Sequence, residues 1–198
     1  MPYPVELQLD APDRVANWRP LAHWLLALPH LLIANVLGDV AGVLGFISWF
    51  IILFTGRLPD GIARFQCMVL RYEARTFSYF LWLREPYPPF EFEMTPDDPR
   101  TDPLRVDVAP QLENRNRLTV GLRLIWLIPI LLYAVVIAFV ALLLAIVGFF
   151  AVLFTGHWPE GLRRFMVNAL RLGTRVNAYG RLVVDDYPPF ALDAPGRP

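Results

Sequence analysis

The chain has 198 residues, of which 56% are hydrophobic and 18% charged, and its mean hydropathy is +0.42. Soluble domains average about 45–50% apolar and about 25% charged residues, so this composition is typical of a membrane protein. All 18 basic residues are arginines, which excludes lysine chemistry, and 18 acidic residues cancel their charge, which does not favour nucleic acid as a partner.

A short strand is predicted near the N-terminus, where apolar and polar residues alternate from Val5 to Asp10. Two long apolar segments follow at residues 21–54 and 124–154. The first carries Asp39 as its only formal charge, and the second carries none. Both exceed the roughly 20 residues that cross a bilayer, so both are candidates for membrane insertion.

The sequence repeats itself with a shift of 100 residues. FTGRLPDGIARF from Phe54 aligns with FTGHWPEGLRRF from Phe154, and YPPF at Tyr87 recurs at Tyr187. Between Phe54 and Phe90, 15 of 37 aligned positions are identical. The segment PVELQLDAP at residues 4–12 also resembles PLRVDVAP at 103–110, after a slip of one or two residues. The chain is therefore predicted to be a tandem duplication.

The predicted division has a first membrane repeat at 1–95, a linker at 96–102 and a second membrane repeat at 103–198. The linker belongs to a proline- and acid-rich stretch, 91–102, typical of surface connections. Residues 1–99 hold 7 arginines against 11 acidic residues, and residues 100–198 hold 11 against 7. These opposite net charges favour docking of the halves on each other, or orientation at a charged surface.

These motifs, in this order, resemble the prokaryotic membrane family called domain of unknown function 4389. The resemblance is carried by residues 53–56 (LFTG), Pro59, Gly61, Phe65, Leu70, Arg71 and 87–90 (YPPF), and again by residues 153–156, Pro159, Gly161, Phe165, Leu170, Arg171 and 187–190. It implies a bacterial or archaeal integral membrane protein. It implies no activity, because that family has none assigned.

Arginines flank both apolar segments at both ends, so the positive-inside bias predicts that all four flanks are cytoplasmic. Each segment must then cross the bilayer an even number of times. As one helix, residues 21–54 would be about 51 Å long, against a hydrocarbon core of about 30 Å. A hairpin of two short helices is therefore predicted for each segment, with a turn at residues 35–39 in the first. The alternative is one long helix, kinked at Pro29 or Pro129, whose arginine-bearing successor returns through the bilayer.

The predicted fold is mainly α: an integral membrane protein with two helical hairpins, each followed by an amphipathic interfacial helix. Short strands near residues 4–10, 89–94, 103–109 and 189–193 are expected to pair into a small cytoplasmic sheet. The predicted location is the prokaryotic inner membrane, with several crossings and both termini in the cytoplasm.

A stripe of arginines recurs in both repeats at spacings of seven and four residues, which places its members on one helix face. Its members are Arg64, Arg71 and Arg75 in the first repeat, and Arg164, Arg171 and Arg175 in the second. On an interfacial helix such a stripe would contact anionic lipid headgroups or acidic residues of a partner subunit. Alternatively, it is a solvated face that only anchors the helix.

The repeated turn has a structural interpretation. Gly56 and Gly156 suit the left-handed position that ends a helix, and Pro59 and Pro159 suit the start of the next helix, ahead of Gly61 and Gly161. A phosphate bound at the free N–H groups of that helix start is the alternative.

The polar residues of the first apolar segment are His23, His30, Asn35 and Asp39. The second repeat does not reproduce them, so no repeated ion path is predicted, and a loop in water is the simpler place for Asp39. The lone Cys67 suggests packing, and no catalytic, cofactor or metal motif is recognisable.

The predicted function is therefore that of a non-enzymatic membrane accessory or scaffold protein, without a cofactor, which contacts membrane lipids and other membrane subunits. The alternative is a carrier of small solutes or lipids built from two parallel repeats. That alternative requires a cavity between the repeats.

Overall fold

The computed structural model describes residues 3–192. Within this range the elements are β1 (Val5–Leu9), α1 (Arg19–Leu26), α2 (Leu28–Thr55), α3 (Asp60–Phe80), β2 (Leu104–Val108), α4 (Arg117–Gly121), α5 (Arg123–Thr155) and α6 (Glu160–Gly180). Each repeat thus supplies a strand, a short helix, a long apolar helix and an amphipathic helix. The predicted mainly helical fold with a small sheet is confirmed.

α5 spans the second apolar segment without a break and α2 spans most of the first, so the predicted hairpins are wrong. α2 has 28 residues and α5 has 33, which corresponds to about 42 Å and about 50 Å. The first segment is divided at Ala27, where α1 ends and α2 begins. Pro29 lies in the first turn of α2, where a missing N–H is tolerated, and Pro129 lies inside α5.

The turn predicted at residues 35–39 is also wrong, because α2 continues through it. Gly38, the main signal for that turn, has a packing role instead. A Cβ atom at Gly38 would lie only 2.9 Å from Oε1 of Glu73 on α3. The absence of a side chain therefore allows α3 to approach closely, and Asp39 lies in the middle of a helix rather than in a loop.

The repeated turns end the long helices and begin α3 and α6. Gly56 and Gly156 adopt left-handed backbone angles, with φ of 72° and 70°, where a side chain would be strained. Pro59 and Pro159 immediately precede the helices that follow. Gly61 and Gly161, in the first turns of those helices, have open space where a Cβ would lie.

The two strands pair antiparallel. In their register Val5 faces Val108, Leu7 faces Val106 and Leu9 faces Leu104. Residues 89–94 and 189–192 form no strand, so the sheet has two of the four predicted strands; residue 193 lies outside the described residues. The adjacent prolines of YPPF cannot donate to a ladder. The YPPF segments instead pack against the long helices, with Phe90 stacked on His30 at 4.2 Å and Phe190 edge-on to Tyr133 at 5.2 Å.

The repeats exchange their strands and entry segments. β1 of the first repeat packs on α6 of the second, and β2 of the second packs on α3 of the first. The turns are exchanged in the same way. The Val15 N–H donates to the Gly156 carbonyl at 2.9 Å, and the Arg115 N–H donates to the Gly56 carbonyl at 3.2 Å. Each repeat is therefore completed by segments of the other.

The long helices run in opposite directions. The Asn17 amide, just before α1, donates to the Leu153 carbonyl near the end of α5 at 3.0 Å. The Trp49 indole, near the end of α2, donates to the Val120 carbonyl on α4 at 2.9 Å. Each long helix thus begins beside the end of the other, as expected of two repeats related by an approximate two-fold axis.

Residues 3–192 form three layers. The middle layer is α3 packed on α6, and α2 and α5 pack on these two helices. On α3, Gln66 donates to the Ala41 carbonyl of α2 at 2.7 Å, while Arg75 donates to the Leu104 carbonyl of β2 at 3.3 Å. Gln66 and Arg75 are nine residues apart, which is half a turn at 100° per residue. The sheet and the long helices therefore lie on opposite sides of the middle layer.

Candidate membrane-facing surface

The sides of α2 and α5 that face away from α3 and α6 form an exposed apolar surface, here called the outer faces. The largest exposed side chains are Leu32, Val36, Val43, Phe46, Phe50 and Phe54 on α2, and Leu132, Val135, Phe139, Leu142, Ile146, Phe150 and Phe154 on α5. By length and composition, both helices are able to cross a membrane. Their most apolar 18-residue windows are only 22% and 11% buried, so the folded chain leaves most of this apolar surface uncovered.

The outer face of α2 differs from that of α5 at its centre. Asn35 and Asp39 are exposed there, one turn apart. The equivalent residues of α5 are Val135 and Phe139, which are 65% and 61% exposed. The outer face of α5 is thus uniformly apolar, whereas that of α2 carries one amide and one carboxylate.

Two arginines of α3, Arg71 and Arg75, lie on the opposite side of the molecule, under the linker and β2. The Arg75 guanidinium donates to both oxygens of Asp98, at 3.0 and 3.2 Å, and also contacts Glu91. Arg71 donates to the carbonyls of Thr95 and Asp97, both at 2.9 Å. The side chains of Arg71, Arg75 and Asp98 are at most 3% exposed. These two arginines therefore hold the linker onto α3.

Their equivalents on α6 hold β1. Arg171 donates to the Leu7 carbonyl at 3.1 and 3.0 Å, and Arg175 donates to the Val5 carbonyl at 3.4 Å. The Arg175 guanidinium also lies over the Tyr3 ring, 5.1 Å from its centroid. In both repeats, the second and third arginines of the stripe thus donate to backbone carbonyls of the segments that cover the amphipathic helix, within this chain.

Arg64 and Arg164 remain at the surface. Arg64 pairs with Asp60 at 2.7 Å across one helical turn, with both side chains 51% exposed, and Arg164 is exposed as well. Because Arg71, Arg75 and Arg175 are buried, lipid headgroups do not reach them in this fold. Lipid or partner contact by the stripe stays a prediction for Arg64 and Arg164, and for the half-buried Arg171.

Two further carboxylates, the buried Asp102 and the half-buried Asp185, complete this polar layer, and no sequence motif marked them. Asp102 pairs with Arg84. Asp185 pairs with Arg115 and with Arg123, both at 2.5 Å. Burial lowers the pKa of Arg84, and the hydrogen bond from Asp102 opposes this shift. The sequence signal for these pairs was the acidic composition of two segments, the linker and the residues just before the second YPPF. Acidic side chains that fold against the protein need basic partners, and arginines supply them here.

Cys67 lies within the core between α3 and the sheet and is fully buried. Burial raises the pKa of its thiol to about 12. A thiol with such a pKa is protonated at neutral pH and is a poor nucleophile. The described geometry therefore gives Cys67 a packing role.

An apolar groove of about 460 Å³ lies between α3, α5 and α6. It is lined mainly by small and apolar side chains, among them Ala138 and Ala145 of α5, Leu81, and Gly173 of α6. Its polar edge includes Glu73, Thr174 and Asn177. The groove is partly open and has the size of a small-ligand site.

The equivalent place in the other repeat is filled by an ion pair. There Glu73 and Arg181, with N–O distances of 3.0 and 2.6 Å, lie against Gly38 and Gly45 of α2. The repeat shift of 100 residues maps Glu73 onto Gly173 and Arg181 onto Leu81. The groove is therefore larger than the cavity of about 280 Å³ beside Gly45 and Arg181 on the other side, because a glycine and a leucine replace the ion pair. The sequence signal for this difference between the two sides was the replacement of Glu73 by Gly173 and of Arg181 by Leu81 in the aligned repeats.

Comparison with protein families gives two matches. The family model described as "Domain of unknown function (DUF4389)" matches residues 18–91 and again residues 117–191. These matches cover most of the chain, so the protein belongs to this family and contains its domain twice. No curated protein and no solved structure matches the chain.

Proposed function

We propose that this protein, a chain of two DUF4389 domains, is a non-enzymatic membrane scaffold that is held in the bilayer by one apolar side. The observation that carries the proposal is the outer-face surface of α2 and α5. Monomeric soluble proteins rarely expose contiguous apolar surface on this scale, and larger patches mark membrane or protein interfaces. Such a protein acts by positioning other components at the membrane.

The layered packing supports a position in which α2 and α5 lie within the apolar phase and the sheet faces the aqueous side. α2 and α3 pack along their length, since Ala41 meets Gln66 and His30 meets Tyr72 at 2.7 Å. If α2 crossed the bilayer upright, α3 would enter it too. Each arginine of α3 would then cost about 2.5–3.5 kcal/mol at the centre of the bilayer. An in-plane position avoids this cost.

We place the sheet side toward the cytoplasm of a prokaryotic cell, at the inner membrane. The support is the bias of arginine toward the cytoplasmic side. The exposed Arg64 and Arg164 at the starts of the amphipathic helices suit contact with anionic headgroups, each worth about 1 kcal/mol near such a surface.

The experiment is flotation of the purified protein with liposomes. The protein is expected to float with phosphatidylcholine vesicles, and more completely when phosphatidylglycerol is added. The double variant Val135→Asp, Phe139→Asp places two charges on the α5 outer face and should lower the floated fraction several-fold. The matched control Gln8→Asp, Arg105→Asp changes two residues of the sheet and should float as the wild type does. Equal flotation of both variants would refute membrane insertion through this surface.

A second candidate function, carriage of a lipid acyl chain, is favoured by the groove between α3, α5 and α6. Gly173 lines this groove, and a Cβ there would meet nothing within 4 Å. Gly173→Leu is therefore expected to fill the groove without disturbing the fold. If the groove binds acyl chains, this variant should lose binding of a fluorescent fatty acid that the wild type retains. Unchanged binding would reject the groove as the site.

A further inference from the structure

Asp39 lies at the centre of the outer face of α2. Leu32 and Phe46, seven residues before and after it, are 69% and 64% exposed, and Val36 and Val43 beside it are 62% and 61% exposed. Positions seven residues apart share a helix face, so this carboxylate projects in the same direction as the apolar side chains. The face opposite α3 thus carries one ionisable group within an apolar surface.

No side chain in the described part of the chain compensates that charge. Among residues 3–192, neither a hydrogen bond nor an ion pair joins the Asp39 side chain to another residue. A carboxylate in the apolar phase of a bilayer is costly unless it is paired, and such residues face a protein partner or a water-filled cavity. The α5 outer face, with Phe139 at the equivalent position, has no such requirement and suits lipid.

A second copy of this chain does not provide the missing charge. α2 contains no arginine or lysine and its His30 is buried, and the only arginine on α5, Arg123, is buried and paired with Asp185. In a symmetric contact between two α2 helices, Asp39 would approach its own equivalent. The exposed Arg64 and Arg164 of a second copy lie outside its outer faces, so the complementary group comes from a different protein.

We infer that the outer face of α2 docks a transmembrane helix of another protein, which carries an arginine or lysine at the level of Asp39. Asn35, one turn away on the same face, adds a polar group that can hydrogen-bond across the helix pair. The chemistry required of the partner is one basic residue within an otherwise apolar helix. This inference rests on the proposed function, because it requires α2 to contact the membrane interior.

The test uses the full-length protein in phosphatidylcholine nanodiscs and two synthetic 21-residue helices of leucine and alanine. One helix has a central arginine, and the other has leucine at that position. The arginine helix is expected to co-purify with the protein at least tenfold more than the leucine helix. Asp39→Leu should abolish the difference, and Asp39→Glu should retain it. Asp60→Leu removes an exposed carboxylate outside the outer faces and should leave it unchanged.

Equal capture of the two helices by the wild type would overturn the inference, as would undiminished capture of the arginine helix by Asp39→Leu. A second readout is the reaction of Asp39→Cys, in a Cys67→Ser background, with a charged maleimide. Slow reaction in nanodiscs without a partner supports a position in the apolar phase. Fast reaction there, in a protein that still floats with liposomes, overturns the inference and leaves the proposed function intact. Failure to float at all would instead refute the proposed function.

Discussion

Leu7 lies directly opposite Val106 in the β1–β2 pair, and the two occupy equivalent positions in the strands of the two repeats. A residue that pairs with its own equivalent marks the position of a two-fold axis. The axis therefore passes through the centre of the sheet. Since each strand packs on the amphipathic helix of the other repeat, neither repeat has its complete set of packing contacts without the other.

The strand pairing predicts a specific cross-link. Facing residues of antiparallel strands have Cα atoms about 4.5–5.5 Å apart, within disulfide range. Leu7→Cys with Val106→Cys, in a Cys67→Ser background, should form an intramolecular disulfide on mild oxidation, detected by mass spectrometry after proteolysis. In the control pair, Leu9→Cys with Val108→Cys, the two residues are four positions out of register, or roughly 13 Å apart. A cross-link in the control and none in the test pair would contradict the observed register.

The buried and exposed arginines of α3 should differ strongly in their effect on stability. Removing one member of a buried ion pair costs about 3–5 kcal/mol, because the other charge stays buried without compensation. Arg75→Ala removes two hydrogen bonds to the buried Asp98 and the contact with Glu91, but it leaves Arg71 at 3.3 Å from Asp98. It should therefore lower the free energy of unfolding by about 3 kcal/mol, the lower end of this range. Arg64→Ala breaks an exposed pair and should cost about 1 kcal/mol or less. Urea unfolding in mild detergent measures the free energy of unfolding of both variants. A loss for Arg75→Ala as small as that for Arg64→Ala would show that the linker contacts do not stabilise the fold.

Gly148 should be intolerant of substitution. Atoms of the Trp158 ring would lie 2.2 Å from a Cβ at this position. Trp158 is 2% exposed and donates from its indole to the Trp82 carbonyl at 3.0 Å, so it has little room to shift. Gly148→Ala is expected to destabilise the protein by about 1–3 kcal/mol through overpacking. Gly42→Ala, on α2 with nothing within 4 Å, should be neutral or stabilising by up to about 1 kcal/mol. Thermal unfolding compares the two, and equal melting temperatures would contradict the close packing.

His23 makes stability depend on pH. Its ring is fully buried, donates from Nδ1 to the Tyr79 carbonyl at 2.9 Å and stacks on Tyr79 at 4.0 Å. Burial lowers the pKa of His23 to about 4. The unfolded chain, with a pKa near 6.5, takes up the proton first, so the native state loses stability as pH falls from about 6.5 to about 4.

Replacement of this histidine should weaken that dependence. The melting temperature of the wild type should fall more steeply across this pH range than that of His23→Gln. His157→Gln, which changes an exposed ring, should leave the wild-type profile unaltered. Parallel profiles for the wild type and His23→Gln would contradict a buried neutral His23.

The sequence predicted the duplication, the apolar segments, β1 and β2, because these features depend on local pattern and on alignment of the repeats. It did not predict the continuity of α2, since Gly38 serves equally as a turn residue and as a place for Glu73 to approach. It also did not predict the burial of Arg71 and Arg75. The arginine spacing gives one helix face, but only the tertiary fold shows that the linker and β2 cover that face. The groove depends on residues such as Leu81 and Gly173, which meet only when the repeats interlock.

The most direct test of the central claim, that the α5 outer face lies in the apolar phase of a bilayer, is spin-label accessibility at position 139. In a Cys67→Ser background reconstituted into liposomes, a label at Phe139→Cys is compared with one at Gln8→Cys on the sheet. The label at 139 should be relaxed strongly by oxygen and weakly by a water-soluble nickel chelate, with the reverse at position 8. Equal relaxation of both labels by the nickel chelate would contradict membrane insertion.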